Sequence, residues 1–276
     1  MNLVVQGAEL QKQQADEVAR LARASEIQPV AIGAYRLRNA SRNDAIAPWC
    51  EARRVDHAFI LEGRRFADLK LLAMDMDSTL ITIECIDELG DLAGKKAEIA
   101  AITAQAMRGE IEYRDSLRRR VAALAGLDEE SLNKIYEERL KLTPGAEKLL
   151  KACKDSRVKL LLVSGGFTFF TERLKQRLGI DHTISNVLEV KGGKLTGALV
   201  SDIVDADAKA AKFRAVAKSL NASKDQTVAI GDGANDLKMM HEAGISVAFR
   251  AKPLVRAQAT CAINWSGLDG VLNLFE

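Results

Sequence analysis

Cysteine, proline and aromatic residues are scarce in this chain of 276 residues: four Cys, four Pro and an aromatic share of 5%. The cysteines, Cys50, Cys85, Cys153 and Cys261, are scattered and form no CxxC pair. That spacing excludes a disulfide framework and a cysteine-based zinc site, and fits a reducing, cytoplasmic setting. No charge sign dominates, because 40 Lys+Arg against 38 Asp+Glu leave +2. Hence no strong field points to nucleic acid or to an anionic membrane as partner. Residues 1–30 mix Gln11, Lys12, Asp16, Glu17 and Arg20 with small apolar side chains, so they are neither a signal peptide nor a membrane-spanning helix. Low-complexity stretches and fixed-period repeats are missing as well. What is plentiful is apolar surface, 47% of residues, enough to offset chain entropy and exclude disorder. At about 150 residues per domain the length suggests roughly two domains.

Short apolar runs ending in polar or glycine residues recur along the chain. Leu69–Met74 precedes Asp75, Val158–Val163 precedes Ser164, and Val228–Ile230 precedes Gly231-Asp232; Ser246–Phe249 and Cys261–Asn264 are two more. Runs of this length predict buried strands. Helical patterns lie between them, over Phe169–Leu178, Ala208–Leu220 and Asp236–Ala243. The alternation predicts an α/β fold: a doubly wound, Rossmann-like parallel sheet whose ligands bind beyond the carboxyl ends of the strands. Helical patterns fill residues 86–140, over Ile86–Ala93, Lys95–Met107, Tyr113–Leu124 and Glu129–Leu140, which predicts a helical cap inserted in the core. Val187–Val200 reads as a β-hairpin turning at Gly192-Gly193. The expected organisation is a small α+β domain over residues 1–66, a core over 67–85 and 141–276, and the cap over 86–140. In the first segment Leu3–Val5, Val30–Tyr35 and Ala58–Leu61 read as strands, and Gln13–Ser25 and Pro48–Arg53 as helices. This falls short of a complete ferredoxin-like unit, and its polar residues suggest no chemistry, only regulation, homodimerisation or packing.

The chemistry-bearing residues cluster at the strand ends. In Asp75-Met76-Asp77-Ser78-Thr79, residues two apart face one way if the extended chain persists. Two such carboxylates repel unless a cation or a shared proton relieves them. One could act as nucleophile and the other as general acid. A calcium loop begins similarly, but Leu80 stands where it needs glycine and Ile86 where it needs glutamate. In Gly231-Asp232-Gly233-Ala234-Asn235-Asp236 a second carboxylate pair could complete a magnesium site or simply cap a helix. Ser164-Gly165-Gly166-Phe167 offers a hydroxyl and backbone N–H groups as a phosphate cradle. Lys209, early in a helix, reads on its own as a solvated lysine, and His57, His182 and His241 lie beside no motif.

Taken together, DMDST, VSGGF, the lysine at the next strand–helix junction and GDGAND resemble the haloacid dehalogenase-like hydrolase superfamily. The ordered set covers about residues 68–274. ECIDELGDLAG, AMRGEIEYRDSLRRRV, GGKLTG and AKP further resemble those members that hydrolyse phosphoserine. The resemblance implies a small-molecule substrate, phosphoserine, and Mg2+ as cofactor, in the last step of serine biosynthesis. It implies that Asp75 is the nucleophile and Asp77 the general acid, with metal held by Asp75, the Asp77 backbone carbonyl and Asp232, and Asp236 in support. It further implies that Ser164 and Lys209 hold the phosphoryl oxygens, and that Glu84 binds the substrate ammonium and Arg120 its carboxylate. Gly165 would give a backbone contact, Asn235 a polar one, and Met107 and Tyr113 an apolar lid. A related phosphatase or phosphotransferase for another small phosphomonoester, and a non-catalytic phospho-ligand sensor, are the alternatives. Met76 departs from the phenylalanine common at that position.

Overall fold

The computed structural model describes residues 1–200 and 202–276. Its first 60 residues form a four-stranded antiparallel sheet with two helices. The elements are β1 (Asn2–Gln6), α1 (Lys12–Leu21), β2 (Glu26–Ala31), β3 (Ala34–Arg38), α2 (Ile46–Ala52) and β4 (Asp56–Ile60), in spatial order β2-β3-β1-β4. This order and connectivity complete a ferredoxin-like βαββαβ unit, correcting the expectation of a partial one. The strand predicted over Val30–Tyr35 is in fact two, hinged at Ile32-Gly33. Ala31 pairs with Ala34, and Gly33 turns the chain at φ +67°, a conformation that glycine adopts without strain. Ile32 is fully exposed at the tip, so a β-branched residue that reads as strand sits in a turn.

Along β1 the side chains alternate: Leu3 and Val5 join a core with Val18 and Ala19 of α1 and Cys50 of α2. From β4, Ala58 and Ile60 belong instead to the core of the second, larger sheet. Two polar clasps finish this joint. Asp56 accepts backbone N–H groups from Asn264 (2.6 Å), Trp265 (3.3 Å) and Ser266 (2.8 Å), while Arg36 of β3 donates to the carbonyls of Asn273 (3.0 Å) and Phe275 (2.5 Å). Burial pushes the Asp56 carboxyl up against the pull of those N–H groups.

The larger sheet begins at β5 (Leu71–Met74), after which the chain leaves for the helices α3 (Cys85–Leu92), α4 (Lys96–Met107), α5 (Tyr113–Ala122) and α6 (Glu130–Lys134). The helix expected over Glu129–Leu140 ends early, and its second half widens into a π-turn at Ile135–Arg139. Departing and returning chains lie side by side, with Thr82 N–H on Lys141 O (3.0 Å) and Thr143 N–H on Leu80 O (2.9 Å). Then follow α7 (Ala146–Asp155), β6 (Lys159–Phe167), α8 (Thr168–Leu178), β7 (His182–Asn186) and the hairpin β8 (Leu188–Lys191) and β9 (Lys194–Leu199). The chain closes with α9 (Ala206–Ser219), β10 (Thr227–Gly231), α10 (Leu237–Glu242), β11 (Ile245–Phe249), α11 (Pro253–Gln258) and β12 (Cys261–Ile263).

The six core strands run β12-β11-β10-β5-β6-β7, every neighbouring pair parallel. Alternate residues serve opposite faces. Leu72, Leu162 and Val228 enter one core, and Leu71, Leu161 and Ala229 another, with Phe213 of α9 and Met239 of α10. From β5 the chain builds outward through β6 and β7, then crosses to β10 on the other side. Such a reversal opens a crevice at the carboxyl ends of the strands, between Asp75 and Gly231-Asp232.

Candidate active site

The hydrogen-bonded ladder of β5 ends at Met74, yet Asp75 (φ −70°, ψ 162°) and Asp77 (φ −66°, ψ 136°) stay extended. Met76 between them leaves the extended form and enters a π-turn, so the strand alternation does not carry on: Asp75 faces Asp232 and Asp236, and Asp77 faces Cys85 and Ser164. Ser78 then sits at φ +55°, a left-handed conformation uncommon outside glycine. Its hydroxyl donates to Glu84 Oε1 at 2.6 Å, and its N–H to Ile83 O at 3.2 Å. Asp75 is 6% exposed, and its backbone N–H donates to Ile230 O of the adjacent strand at 3.0 Å.

Lys209 does not behave as a solvated lysine. It is fully buried, and its Nζ donates to Asp75 Oδ1 at 2.5 Å and to Asp236 Oδ1 at 2.7 Å. Burial opposes its charge, but Asp236 and Asp75 outweigh that and hold the ammonium above the ordinary lysine range. The carboxylates of Asp75, Asp232 and Asp236 lie within 4.8 Å of one another. Asp236 also accepts the Gly233 N–H at 3.1 Å, and Thr79 Oγ1 donates to Asp232 Oδ1 at 3.4 Å. Gly231 permits this crowding, since a Cβ there would meet the Asp236 Cβ at 2.5 Å.

Asp77 turns away from that trio. Its Oδ1 accepts the Cys85 N–H at 2.8 Å at the start of α3, and its Oδ2 accepts the Ser164 hydroxyl at 3.3 Å. Ser164 is buried and itself accepts the Gly166 N–H at 2.8 Å. A Cβ on Gly166 would stand 2.6 Å from Asp77 Oδ2, so glycine keeps this approach open. Desolvation pushes both Asp75 and Asp77 up; for Asp75 the charge of Lys209 works against it, and those of Asp236, Asp232 and Asp77 with it. Asp232 is pushed up to about 6, by desolvation and then by Asp236. Desolvation therefore favours the protonated form of Asp75 and Asp77 alike.

The remaining candidates are Glu84, just before the cap, and Met107, Tyr113 and Arg120 on the cap helices α4 and α5. Glu84 remains solvent-accessible, yet protein atoms crowd it closely enough that desolvation, and then Asp77, push its carboxyl up to about 8. Arg120 of α5 is half-buried, and its Nε is buried without a hydrogen-bond partner among the described residues. The Tyr113 hydroxyl fills the space where a side chain on Gly165 would begin, with Asn235 Nδ2 next to it. Met107 is largely exposed, its sulfur 3.4 Å from Lys252 Nζ.

Three groups that the sequence reading passed over shape the site. Asn186, buried at the end of β7, donates to Gly165 O (2.7 Å) and accepts the Val204 N–H (2.8 Å), bracing the glycine cradle. Asp205 caps α9, and Arg114 of the cap reaches it. The only sequence signal for Asn186 is a polar residue closing a β-strand at the same sheet end as Asp75.

These features are a carboxylate pair after the first core strand, a buried lysine and a trio of acids at the switch point. A model of the haloacid dehalogenase-like hydrolases matches residues 72–241, and the chain belongs to that family. A second model, a domain of unknown function (DUF4072), matches residues 3–46. A phosphoserine phosphatase from a Polaromonas species is 56% identical over 217 residues, 77% of this chain and 92% of that protein. Among solved structures, a probable phosphoserine phosphatase from Vibrio cholerae, in unliganded form, superposes with a TM-score of 0.85 at 35% identity, covering 99% of this chain and 85% of that one. A substrate-bound phosphoserine phosphatase gives a TM-score of 0.71 at 37% identity, covering 75% of this chain and 99% of the other. Among the described residues, no helix is long and apolar enough to cross a membrane.

Proposed function

We propose that this hydrolase is a magnesium-dependent phosphatase that converts O-phosphoserine to serine and phosphate through an aspartyl-phosphate on Asp75, closing serine biosynthesis in the cytoplasm. The observation that carries the reading is the setting of Asp75: a buried carboxylate at the mouth of the sheet, 2.5 Å from Lys209 Nζ and grouped with Asp232 and Asp236. The donor set fits a hard divalent ion. Asp75, Asp77, Asp232 and Asp236 act on one another against the single ammonium of Lys209, which leaves three negative charges uncompensated when all are ionised. Asp75, the Asp77 backbone carbonyl and Asp232 would hold the ion, with Asp236 in support. When bound, it supplies the positive charge that lets an anionic carboxylate meet an anionic phosphate.

A carboxylate oxygen of Asp75 attacks phosphorus, and the bond to the serine oxygen breaks. Asp77 donates its proton to that oxygen, so serine leaves neutral at the hydroxyl. Asp77, now ionised, takes a proton from the water that attacks phosphorus and frees Asp75. Lys209 and Ser164 hold the phosphoryl oxygens through both steps. Positioning and charge neutralisation account for most of the catalysis of such transfers.

Substrate choice belongs to the cap. The Nε of Arg120 is buried and unpartnered, a cost that a substrate carboxylate would relieve through a two-point hydrogen bond. Glu84 would pair with the ammonium, which favours its ionised form, while Gly165 and Asn235 add polar contacts. The names of the relatives point the same way. The test is phosphate release from O-phosphoserine, O-phosphothreonine and a sugar phosphate, each with Mg2+ and with a chelator. A preference for phosphoserine of at least tenfold in kcat/KM, lost on chelation and restored by Mg2+, is expected. Equal rates on all three would assign the site to another phosphomonoester, and full activity in chelator would remove the metal.

A further inference from the structure

The cap is tied to the core at its hinge, residues 80–82 beside 141–143, and to the β8–β9 hairpin, where Gly126 N–H donates to Leu195 O (2.8 Å), Leu195 N–H to Leu127 O (2.9 Å) and Lys194 Nζ pairs with Asp128 (3.1 Å). A separate tie reaches the start of α9. Arg114, in the first turn of α5, places both Nε and Nη2 2.6 Å from Asp205 Oδ2. The other oxygen, Asp205 Oδ1, accepts the N–H groups of Asp207 (3.1 Å) and Ala208 (3.0 Å) and so caps α9. One carboxylate thus divides its two oxygens between the cap and the helix that carries Lys209. Lys209 itself begins one turn further on, its N–H on Asp205 O at 3.0 Å. Among the described residues this is the only ion pair between the cap helices and α9.

We propose that Arg114 is a positioning residue for the reaction, latching the cap over the bound substrate by closing onto Asp205. The inference rests on the phosphoserine-phosphatase reading above. Its neighbours support the geometry: Tyr113, one residue earlier, is packed against Gly165 of the phosphate cradle. When Arg114 engages Asp205, the Tyr113 hydroxyl is therefore set against Gly165. Two features make the pair stronger than an ordinary surface pair. The Asp205 side chain is only 18% exposed, and its rotamer is already fixed by the two helix N–H groups, so little conformational entropy remains to be lost. Backbone hydrogen bonds and the Arg114 charge hold its carboxyl below the usual carboxylate range despite burial, and it stays ionised at neutral pH.

The latch acts on substrate and transition state alike, so its loss should raise KM and leave kcat undiminished. Arg114→Ala removes it from the cap side. Asp205→Asn removes it from the core side while keeping an N-cap of equal quality. Each variant should raise KM for O-phosphoserine about three- to fivefold at low salt, and the double variant should do no more than either alone. The difference from wild type should vanish near 1 M salt, where screening acts over about 3 Å. Hydrogen exchange at the amides of residues 107–113 should quicken equally in both variants. Unchanged KM and exchange in Arg114→Ala, or KM effects that multiply in the double variant, would overturn the latch. If the wild type fails to hydrolyse phosphoserine, the functional reading falls, while the exchange measurement still decides the latch.

Discussion

Replacing Lys209 by methionine keeps most of the buried stem and removes only the charge. In the native protein that ammonium is fully buried between Asp75 and Asp236, at 2.5 and 2.7 Å. Removing one member of a buried ion pair costs about 3–5 kcal/mol, because the partner charge stays behind without compensation. At about 2–4 °C per kcal/mol for a protein of this size, the melting temperature should fall by about 6–20 °C. The loss should also depend on pH, with a definite sign. Without Lys209 the Asp75 carboxyl, already pushed well up by burial, rises further. A carboxyl with a raised folded-state pKa contributes stability that is complete below its unfolded value of about 3.9 and is lost as pH climbs through the folded value. Lys209→Met should therefore approach wild-type stability near pH 4 and diverge above it, with added Mg2+ recovering part of the gap. Thermal unfolding followed by circular dichroism between pH 4 and 8 measures this. A variant as stable as wild type at pH 7 without metal, or one whose deficit widens toward acid, would refute the charge argument.

Asp75→Asn should reduce phosphate release by about 10^3-fold or more, since loss of a nucleophile leaves only binding and electrostatics, while the far-ultraviolet circular dichroism stays native. Arg120→Ala should raise KM for O-phosphoserine about 10- to 100-fold, in line with a charged hydrogen bond of about 1.5–3 kcal/mol. Phosphoethanolamine, which lacks the carboxylate, should hardly notice, and equal losses on both substrates would make Arg120 structural. Asp56→Ala leaves the amides of residues 264–266 without their acceptor and should cost about 1–3 kcal/mol. Urea unfolding measures that cost, and limited proteolysis should show the stretch after residue 60 cut faster.

What could be read in advance divides by the range of the interaction. The strands before Asp75, Ser164 and Asp232 were legible because a short apolar run ending in a polar residue is a local pattern. The turn at Ile32-Gly33 was not, since an exposed isoleucine mimics strand and a single glycine is weak punctuation. Lys209 shows the same limit at the site: in an alanine-rich helix it reads as solvated, and only the meeting of β5 and β10 buries it. Arg114 and Asp205 stand 91 positions apart, and nothing near either announces the other. Asp56 reads as a lone acid until the loop after β12 folds over it. Asp75 and Asp77 meet different partners because the chain leaves the extended form at Met76, a break that no local pattern announces.

The clasp of Arg36 on the carbonyls of Asn273 and Phe275 has a topological sequel. It brings Asn2 within 3.2 Å of Glu276, so the first strand and the last residue are spatial neighbours. A few glycines joining the two would close the polypeptide into a ring at small entropic cost. Such a ring could be reopened at the exposed Gly192-Gly193 turn or the 108–110 loop to give circular permutants. In these the β1–β4 sheet would sit in the middle of the chain, still on the same surface it covers now.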